Sequence, residues 1–289
     1  MELNLCLKET PVREFFPRLD FNRLDQLCLN ALRHEVEAWP KPGLVTPVDS
    51  GSHRDMNFGT FLNSIGALEG TFAEMAMAAT FGPGFQEMMA IGRRAEARML
   101  RATNGINTHR GAIFNLGLLI SASALRQCNP ALADLSCGKV VERVWGEDIL
   151  AARSPFAATH GNQVYYRFRK AGARGEAAAG FPRVYRFGIP SLHRLLQAGY
   201  DQERAIVGTL MSLIEHVDDS NLLWRDGEDG LAFAKQSARD FNLNGGVEQS
   251  DWREQLTAIH RSFVARNLSP GGSADLVAAA WVSYHLDRI

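Results

Sequence analysis

The stretch FNRLDQLCLNALRHEVEAWPKPG, residues 21–43, shows the helical pattern that indicates the fold class. Apolar residues recur in it at intervals of three and four, and they include Phe21, Leu24, Leu27, Cys28, Ala31, Leu32 and Val36. This spacing places them on one face of a helix. The helix then ends at Pro40 and Pro42, because proline lacks an amide donor and disfavours helical geometry in the residue before it. The stretch therefore predicts an amphipathic helix followed by a rigid turn.

The same period continues along the chain and predicts an all-α protein. Further helices are predicted over residues 60–80, 85–101, 110–124, 139–152, 191–198, 202–217, 249–266 and 273–287. Residues 164–168 and 184–187 fit a short strand, or part of a helix or loop. Strands and helices do not alternate, which argues against a doubly wound nucleotide-binding fold. No linker is evident, so residues 1–289 are expected to form a single compact multi-helix domain with functional loops between helices.

The composition is that of an ordinary globular protein. Hydrophobic residues make up 46% of the 289 positions and the formal net charge is −1, which excludes a strongly basic nucleic-acid binder. No apolar run approaches the ~18 residues of a membrane span, and the first residues lack the apolar core of a secretory signal. The four cysteines form no C-x-x-C pair, so reduced thiols and a cytoplasmic location are expected.

Chemistry is expected in the breaks between helices, where glycine and polar residues concentrate. The first break is residues 41–57. Lys41, His53 and Arg54 are donors suited to phosphate, and Asp55 can act as a base or bind Mg²⁺. A solvated turn before a helix explains the same residues. Taken alone, this break leaves both interpretations open.

The second break, residues 103–111, opens a predicted helix. Free backbone amides at a helix N-terminus bind phosphate, and the helix dipole favours negative charge there. Four side chains add donors, namely Asn107, Thr108, His109 and Arg110. Simple N-capping explains Asn107 or Thr108, but it does not explain the adjacent His-Arg-Gly.

The third break combines residues 159–161 and 172–182. His160 and Arg174 are candidate substrate donors, and the small residues around Arg174 let a ligand approach closely. Glu176 is either a catalytic carboxylate or the partner of Arg174 in a simple surface ion pair. The sequence does not choose between these two roles.

The last two breaks are residues 218–227 and 267–275. Asp219 and Asn221 offer the hard oxygen ligands that suit Mg²⁺ rather than Zn²⁺. An acidic residue at a helix C-terminus is locally unfavourable, and this favours a functional role for Asp219. The predicted substrate contacts in these breaks are Arg225, Gly271 and Gly272. An ordinary helix start, with Ser273 and Asp275 near its N-terminus, explains much of the last break.

Signatures of common nucleotide enzymes are missing. The sequence contains no P-loop, G-x-G-x-x-G, H-E-x-x-H or G-x-S-x-G motif, and its eight histidines show no zinc spacing. The residues alone therefore predict a helical enzyme that binds a phosphorylated substrate with Mg²⁺, and they leave the reaction open. A methionine-rich stretch is predicted to be core rather than a binding surface. Its members are Met75, Met77, Met88 and Met89.

At these same breaks the sequence resembles the triphosphoribosyl-dephospho-CoA synthase family, which makes the prosthetic-group precursor of malonate decarboxylase and citrate lyase. The matching stretches, in order, are PKPGLV (40–45), SGSHRDM (50–56), NGINTHRGAIFNLGLL (104–119), GARGEA (172–177), GFP (180–182), DSN (219–221) and LSPGGSADL (268–276). Two positions depart from the usual pattern. Trp39 stands where Thr is common, and Asn57 stands where Asp is common, so that Asp55 alone keeps a carboxylate there.

The resemblance implies that the triphosphoribosyl group of ATP moves to the 2′-hydroxyl of dephospho-CoA and that adenine leaves. A transition state resembling an oxocarbenium ion then needs a stabilising carboxylate and a general base. The candidates are Asp55, Glu176 and Asp219, with Asp219, Asn221 and Asp55 as the expected Mg²⁺ ligands. Asp219→Asn or Glu176→Gln is expected to lower turnover by a factor of about 10²–10⁴.

The chain is similar in length to members of the malonate decarboxylase branch of the family, and this similarity favours that branch. The product is then expected to pass to an acyl-carrier-protein holo-synthase step, and a homodimer is a further expectation. Two other functions are kept open. One is a Mg²⁺-dependent nucleotide or ADP-ribosyl hydrolase, which would release adenine or ribose phosphates without dephospho-CoA. The other is a non-catalytic helical partner of an acyl carrier protein, which would show no response to ATP.

Overall fold

The computed structural model describes residues 19–82, 84–152 and 160–287, and all regular elements in these ranges are helical. The α-helices are α1 (Phe21–Glu37), α2 (Phe58–Ala67), α3 (Thr71–Thr80), α4 (Phe85–Ala102), α5 (Arg110–Cys128), α6 (Cys137–Ala151), α7 (His160–Phe168), α8 (Gly172–Ala178), α9 (Ile189–Gln197), α10 (Gln202–His216), α11 (Ser220–Leu243), α12 (Trp252–Ala265) and α13 (Gly271–Leu286). Three shorter elements are the 3₁₀ turns Pro130–Leu132 and Gly246–Glu248 and the π-helical turn Val184–Gly188. The all-α prediction is confirmed.

Helices α5, α10 and α13 form the centre of the molecule. Their side chains are buried on nearly every side, as expected of helices that are apolar around their whole circumference. Helix α13 packs against both α5 and α10, while amphipathic helices such as α1 cover them with a single apolar face. Although the central helices are apolar, no helix in the described ranges is long and apolar enough to cross a membrane.

The prediction of a single helix over residues 60–80 is wrong, because the helix is interrupted at Gly70. This residue has a left-handed φ of +77° and separates α2 from α3, a conformation that glycine adopts without steric cost. Helix α2 begins after Asn57, whose side chain accepts a 3.1 Å hydrogen bond from the amide of Thr60. Asn57, one of the two departures from the family pattern, therefore has a structural role as a helix cap.

Three other segments differ from the sequence prediction. Residues 164–168 lie in α7 and residues 184–187 in the π-helical turn, so neither is a strand. The GARGEA segment, expected in a break, forms the short helix α8. The break expected over residues 218–227 instead contains the start of α11, which is interrupted by non-helical geometry at Asp226 and Gly227. Those two residues explain why the helical period could not be read across this segment.

Candidate active site

The N-termini of three helices meet on one side of the core. Asp219 precedes α11, where it accepts a 2.8 Å hydrogen bond from the amide of Asn221 and a 2.7 Å hydrogen bond from the amide of Ser273 on α13. Asp275, also on α13, accepts a hydrogen bond from the amide of Ala112 on α5. Each helix N-terminus carries a partial positive charge. Their convergence therefore favours the binding of anions such as phosphate.

Two cavities open at this convergence. The large cavity has a volume of about 830 Å³ and the small cavity about 640 Å³. Asn107, Asn221 and Asp275 line both of them, and we call these three residues the shared wall. No other described residue lines both cavities. Molecules bound in the two cavities would therefore come closest to each other at the shared wall.

The structure brings together most of the side chains predicted from the sequence. Besides the shared wall, the small cavity is lined by Lys41, His53, Asp55, Thr108, His109, Arg225 and Gly271. The large cavity is lined by Arg110, Arg174, Glu176, Asp219 and Gly272. Arg54 is exposed and lines neither cavity. The side chain of His160 and all of Thr159 lie outside the described part of the chain.

Lys41 is almost fully buried in the small cavity and is paired with Glu35. Its Nζ lies 2.6 Å from both the backbone oxygen and the Oε1 atom of Glu35. Burial lowers the pKa of Lys41, while the glutamate charge opposes this shift. An ammonium has three donors, so one is left for a ligand. Glu35 was not predicted from the sequence as a site residue. The feature that could have identified it is its charge within the apolar face of α1, three residues after Leu32.

A short chain of hydrogen bonds fixes the imidazole of His109. The hydroxyl of Thr108 donates to Ser64 Oγ over 2.7 Å, and Ser64 Oγ lies 2.7 Å from His109 Nδ1. Ser64 therefore donates to Nδ1, which leaves the proton of the neutral ring on Nε2. That Nε2 is buried without a partner. Burial, and then the charge of Lys41, lower the pKa of His109 to about 3, so the ring offers one neutral N–H donor to the small cavity.

Arg225 connects two loops at the edge of the small cavity through hydrogen bonds. Its Nη1 donates to the carbonyl oxygens of Ser52 and Asn267 over 3.1 and 3.0 Å, and its Nη2 lies 3.2 Å from His53 Nδ1. The other ring nitrogen of His53 lies 2.8 Å from Ser269 Oγ. Burial and the neighbouring Arg225 lower the pKa of His53. Much of the donor capacity predicted for phosphate is thus used to hold these loops together.

Two of the predicted catalytic carboxylates hold the backbone in place. Asp219 is buried and accepts hydrogen bonds from two helix N-termini, including the amide and hydroxyl of Ser273. Glu176 accepts from the amide of Arg183 over 2.6 Å and from its guanidinium over 3.2 Å, so its ion-pair partner is not Arg174. Burial raises the pKa of both carboxyl groups, and these hydrogen bonds oppose the shift. Their geometry favours a structural role over a catalytic one.

The predicted Mg²⁺ ligands are divided between the two cavities, and only Asn221 lines both. Asp55 has a side chain that is 63% exposed and lines the small cavity, whereas Asp219 lines the large cavity. The amide of Asn221 lies against Gly271. Across residues 19–82, 84–152 and 160–287, no group of three His, Cys, Asp or Glu side chains is placed to hold a metal ion. The described residues therefore offer no cluster of three carboxylate, imidazole or thiolate ligands for a metal ion.

Gly271 and Gly272 let the N-terminus of α13 approach that of α11. A Cβ atom on Gly271 would lie 2.6 Å from Asn221 Nδ2, and one on Gly272 would lie 3.0 Å from Asp219 Oδ1. Any larger residue would push the two helix ends apart. Close packing therefore explains both glycines, without the phosphate contact that the sequence suggested.

Asp275 is the carboxylate that sequence reasoning missed as a functional residue. It lies on the shared wall, and burial, then the charges of Glu35 and Asp219, raise its pKa well above the usual range. A Cβ atom on Gly111 would lie 2.0 Å from Asp275 Oδ2, so glycine at that position makes room for the carboxylate. Asp219 accepts several hydrogen bonds, whereas Asp275 accepts one, from Ala112. Asp275 thus keeps lone pairs available to a ligand.

The large cavity has a charged end and an apolar end. At the charged end, Arg110 Nε donates to Glu96 over 2.6 Å, and Arg174 lies over the ring of Phe114 at 5.6 Å. Asn107 Oδ1 accepts a 3.2 Å hydrogen bond from the amide of Arg110, the first residue of α5. The apolar end is lined by Met75, Phe85, Met88, Met89 and Leu118. Met75 and Met88 are buried, as predicted for core residues, but they also face this cavity. The same prediction is wrong for Met77, which is 45% exposed on α3.

Comparisons with known proteins agree with the resemblance in the sequence. The family model for ATP:dephospho-CoA triphosphoribosyl transferase matches residues 21–289. The chain is 37% identical to the 2-(5''-triphosphoribosyl)-3'-dephosphocoenzyme-A synthase of Pectobacterium atrosepticum, over 98% of this chain and 95% of the relative. It is 39% identical to a probable synthase of the same name from Pseudomonas syringae, over 89% of both chains. No solved structure matches. Because these matches cover nearly the whole chain, the protein is a transferase and belongs to the ATP:dephospho-CoA triphosphoribosyl transferase family.

Proposed function

We propose that this transferase moves the triphosphoribosyl group of ATP to the 2′-hydroxyl of dephospho-CoA and releases adenine. The observation that carries the proposal is the pair of cavities that adjoin at the shared wall. A reaction between two nucleotides needs two sites whose reacting ends meet. The converging helix N-termini supply positive potential for the phosphates of both substrates.

We assign ATP to the small cavity. The neutral Nε2–H of His109 and the remaining Nζ donor of Lys41 point to an acceptor such as a phosphate oxygen. Trp224 lines the same cavity and is 42% exposed, so it offers an aromatic face on which adenine can stack. This position at the cavity edge would let the adenine leave after the transfer.

We assign dephospho-CoA to the large cavity. It is the larger substrate, and it carries a diphosphate followed by a long, weakly polar pantetheine arm. The guanidinium groups of Arg110 and Arg174 suit the diphosphate, and the apolar end suits the arm. ATP has no part that would use the apolar end, which supports this order of occupation.

The proposed step transfers a glycosyl group. The 2′-oxygen of dephospho-CoA forms a bond to C1′ of the ATP ribose, while the bond from C1′ to N9 of adenine breaks and its electron pair stays on the adenine. The hydroxyl proton passes to a carboxylate of the enzyme, and one proton is taken up by the leaving adenine. Asp275 is our candidate for this base, because it alone among the carboxylates of both cavities lies on the shared wall. A raised pKa makes a carboxylate a stronger base.

Mg²⁺ is proposed to enter with ATP rather than to reside in the protein. This ion is usually held by substrate phosphates and water with few protein ligands, which agrees with the lack of a metal cluster in the described residues. We further propose that the product serves malonate decarboxylase through an acyl-carrier-protein step, and that the enzyme is a homodimer.

The function is tested by chromatography of reactions that contain the protein, ATP, Mg²⁺ and dephospho-CoA, with each substrate omitted in turn. The expected result is adenine that appears in step with a heavier CoA derivative, only when both substrates are present. Adenine or ribose phosphates formed without dephospho-CoA would instead identify a hydrolase. A folded protein that gives no product under any condition would favour a binding module.

A further inference from the structure

Asn115 is a buried carboxamide with no hydrogen-bond partner among the residues that the structure describes. It is 1% exposed, and neither its Nδ2 nor its Oδ1 atom makes a hydrogen bond. An unpaired buried polar group destabilises the folded protein, and native proteins rarely leave one without a reason. Asn115 lines the large cavity. The expected partner is therefore a ligand that offers one acceptor and one donor side by side.

The position of Asn115 along the cavity narrows the choice of ligand. On α5 it lies four residues after Gly111, which contacts Asp275 at the charged end, and three residues before Leu118 at the apolar end. With a rise of 1.5 Å per residue, each end is about 5–6 Å away along the helix. The unpaired amide thus stands midway along the cavity wall, beyond the region suited to phosphate.

We infer that the large cavity binds the pantetheine arm of the acceptor, and that Asn115 pairs with an amide of that arm. An amide presents one N–H and one C=O, which match the two unpaired atoms of a carboxamide. The methionines of the apolar end suit a flexible chain, because their thioether side chains adapt to irregular shapes. This inference rests on the proposed function, since it assumes that the acceptor carries such an arm.

Adenine is the rival occupant, because an Asn carboxamide can also pair with an adenine edge. A flat base, however, calls for an exposed aromatic face, and Phe114 beside Asn115 is already covered by the guanidinium of Arg174. The cavity volume of about 830 Å³ also exceeds the needs of a single base. These observations favour the arm.

The first test is calorimetric titration of the full chain with dephospho-CoA and, separately, with ADP, which has the nucleotide but no arm. Wild-type protein should bind dephospho-CoA more tightly. Asn115→Leu should weaken dephospho-CoA binding about tenfold or more and leave ADP unchanged. Its Tm should stay level or rise, because the amide that is removed has no partner within the protein. Ser123→Ala, two turns further along α5 and in neither cavity, should change neither affinity.

A second test fills the cavity without changing a polar group. Gly92 on α4 lines the large cavity, and a Cβ atom there would meet only Met75 Cε, at 3.6 Å. Gly92→Ala should therefore bind as wild type does and gain helix stability. Gly92→Leu should project into the cavity and weaken dephospho-CoA binding at least tenfold, with ADP unaffected.

The outcomes separate this inference from the proposed function. Equal wild-type affinity for dephospho-CoA and ADP would overturn the inference while the transferase assignment survives. Equal weakening of both ligands by Asn115→Leu would identify adenine as the partner and would also overturn it. A lower Tm for Asn115→Leu with unchanged affinities would show a purely structural role. Wild-type protein that binds neither ligand would contradict the proposed function itself.

Discussion

The two cavities share a wall, but they differ in the buried polar atoms that the protein leaves unpaired. In the small cavity the unpaired atom is His109 Nε2, a single donor near the ammonium of Lys41. In the large cavity it is the carboxamide of Asn115, a donor and an acceptor together. A single donor beside a cation suits an anion, whereas a carboxamide suits another amide. The two cavities therefore present chemically different unpaired groups to a ligand.

The shared wall is where this difference has consequences for catalysis. A residue that lines one cavity can change the affinity for one substrate, but only a residue that lines both can act on the bond formed between them. Asp275 is the ionisable member of the shared wall. Substitutions should therefore fall into two groups, those that change turnover and those that change the KM or Kd of one substrate.

The largest effect is expected from Asp275→Asn. This substitution keeps the shape of the side chain but removes its ability to accept a proton, so kcat should fall by a factor of about 10²–10⁴ while the KM of both substrates changes little. Steady-state kinetics with each substrate varied in turn would measure this. In wild type, kcat/KM should fall at acidic pH with a midpoint above the usual aspartate range, because burial raises the pKa of Asp275. If Asp55→Asn lowers kcat by this factor and Asp275→Asn leaves kcat unchanged, the base is Asp55 in the small cavity.

Gly111→Ala should give the next largest effect. Its Cβ would lie 2.0 Å from Asp275 Oδ2, so the carboxylate must move although no functional group is lost. A displacement of about 1 Å at a reacting group can lower turnover by roughly 10²-fold. The matched control is Gly66→Ala in α2, where nothing lies within 4 Å of the new Cβ. Normal kcat in Gly111→Ala would show that the position of Asp275 is not critical.

His109→Phe should affect only the small cavity. It removes a donor positioned by Ser64, and a hydrogen bond to a charged phosphate contributes about 1.5–3 kcal/mol. We therefore expect the KM of ATP to rise about tenfold or more, with the Kd of dephospho-CoA unchanged. Kinetics at saturating dephospho-CoA and titration with that substrate alone would measure the two effects. A rise confined to dephospho-CoA would reverse our assignment of the cavities.

The smallest effect concerns stability rather than activity. His109 has a pKa of about 3 in the folded protein and about 6.5 when unfolded. Between these values the unfolded chain binds the extra proton, so wild-type stability should fall as the pH falls through this window, by at most about 1.4 kcal/mol per pH unit from this residue. His109→Gln should show a shallower fall in denaturant titrations between pH 7 and 4.5. Parallel curves for the two proteins would contradict the low pKa.

Much of the fold could be predicted from the sequence, because most helices carry a continuous apolar period. The helix over residues 110–124 closely matches α5, for example. The errors fall where one residue overrides the period, as Gly70 does between α2 and α3. Helix α11 was missed for the same reason, since Asp226 and Gly227 interrupt it. Local backbone geometry of this kind leaves little trace in the spacing of apolar residues.

The site could be predicted as a set of breaks, but the roles of its residues could not. The clusters of glycine and charged residues in the sequence identified the segments that line both cavities. Which carboxylate has free lone pairs depends on contacts between distant segments, such as Asp219 with Ser273. Asp275 looked like an ordinary helix-start residue until α5 was placed beside it. Asn115 sits inside an apolar run, and only its missing partners distinguish it.

The break within α11 divides that helix into two parts that contact different regions of the protein. Gly227 adopts φ +64° and ψ −153°, a conformation essentially limited to glycine. The first turns, from Ser220 to Arg225, are joined through Asp219 to α13 and line the two cavities. The turns after Gly227 contact α12 through Phe233 and Phe263 and the central helix α10 through Asn242 and Glu215, and Lys235 pairs with Asp218 beside the large cavity. For protein engineering, this joint marks a boundary: labels, tags or solubility substitutions placed on the exposed face beyond Gly227 should leave the chemistry intact, whereas the same changes before it should not.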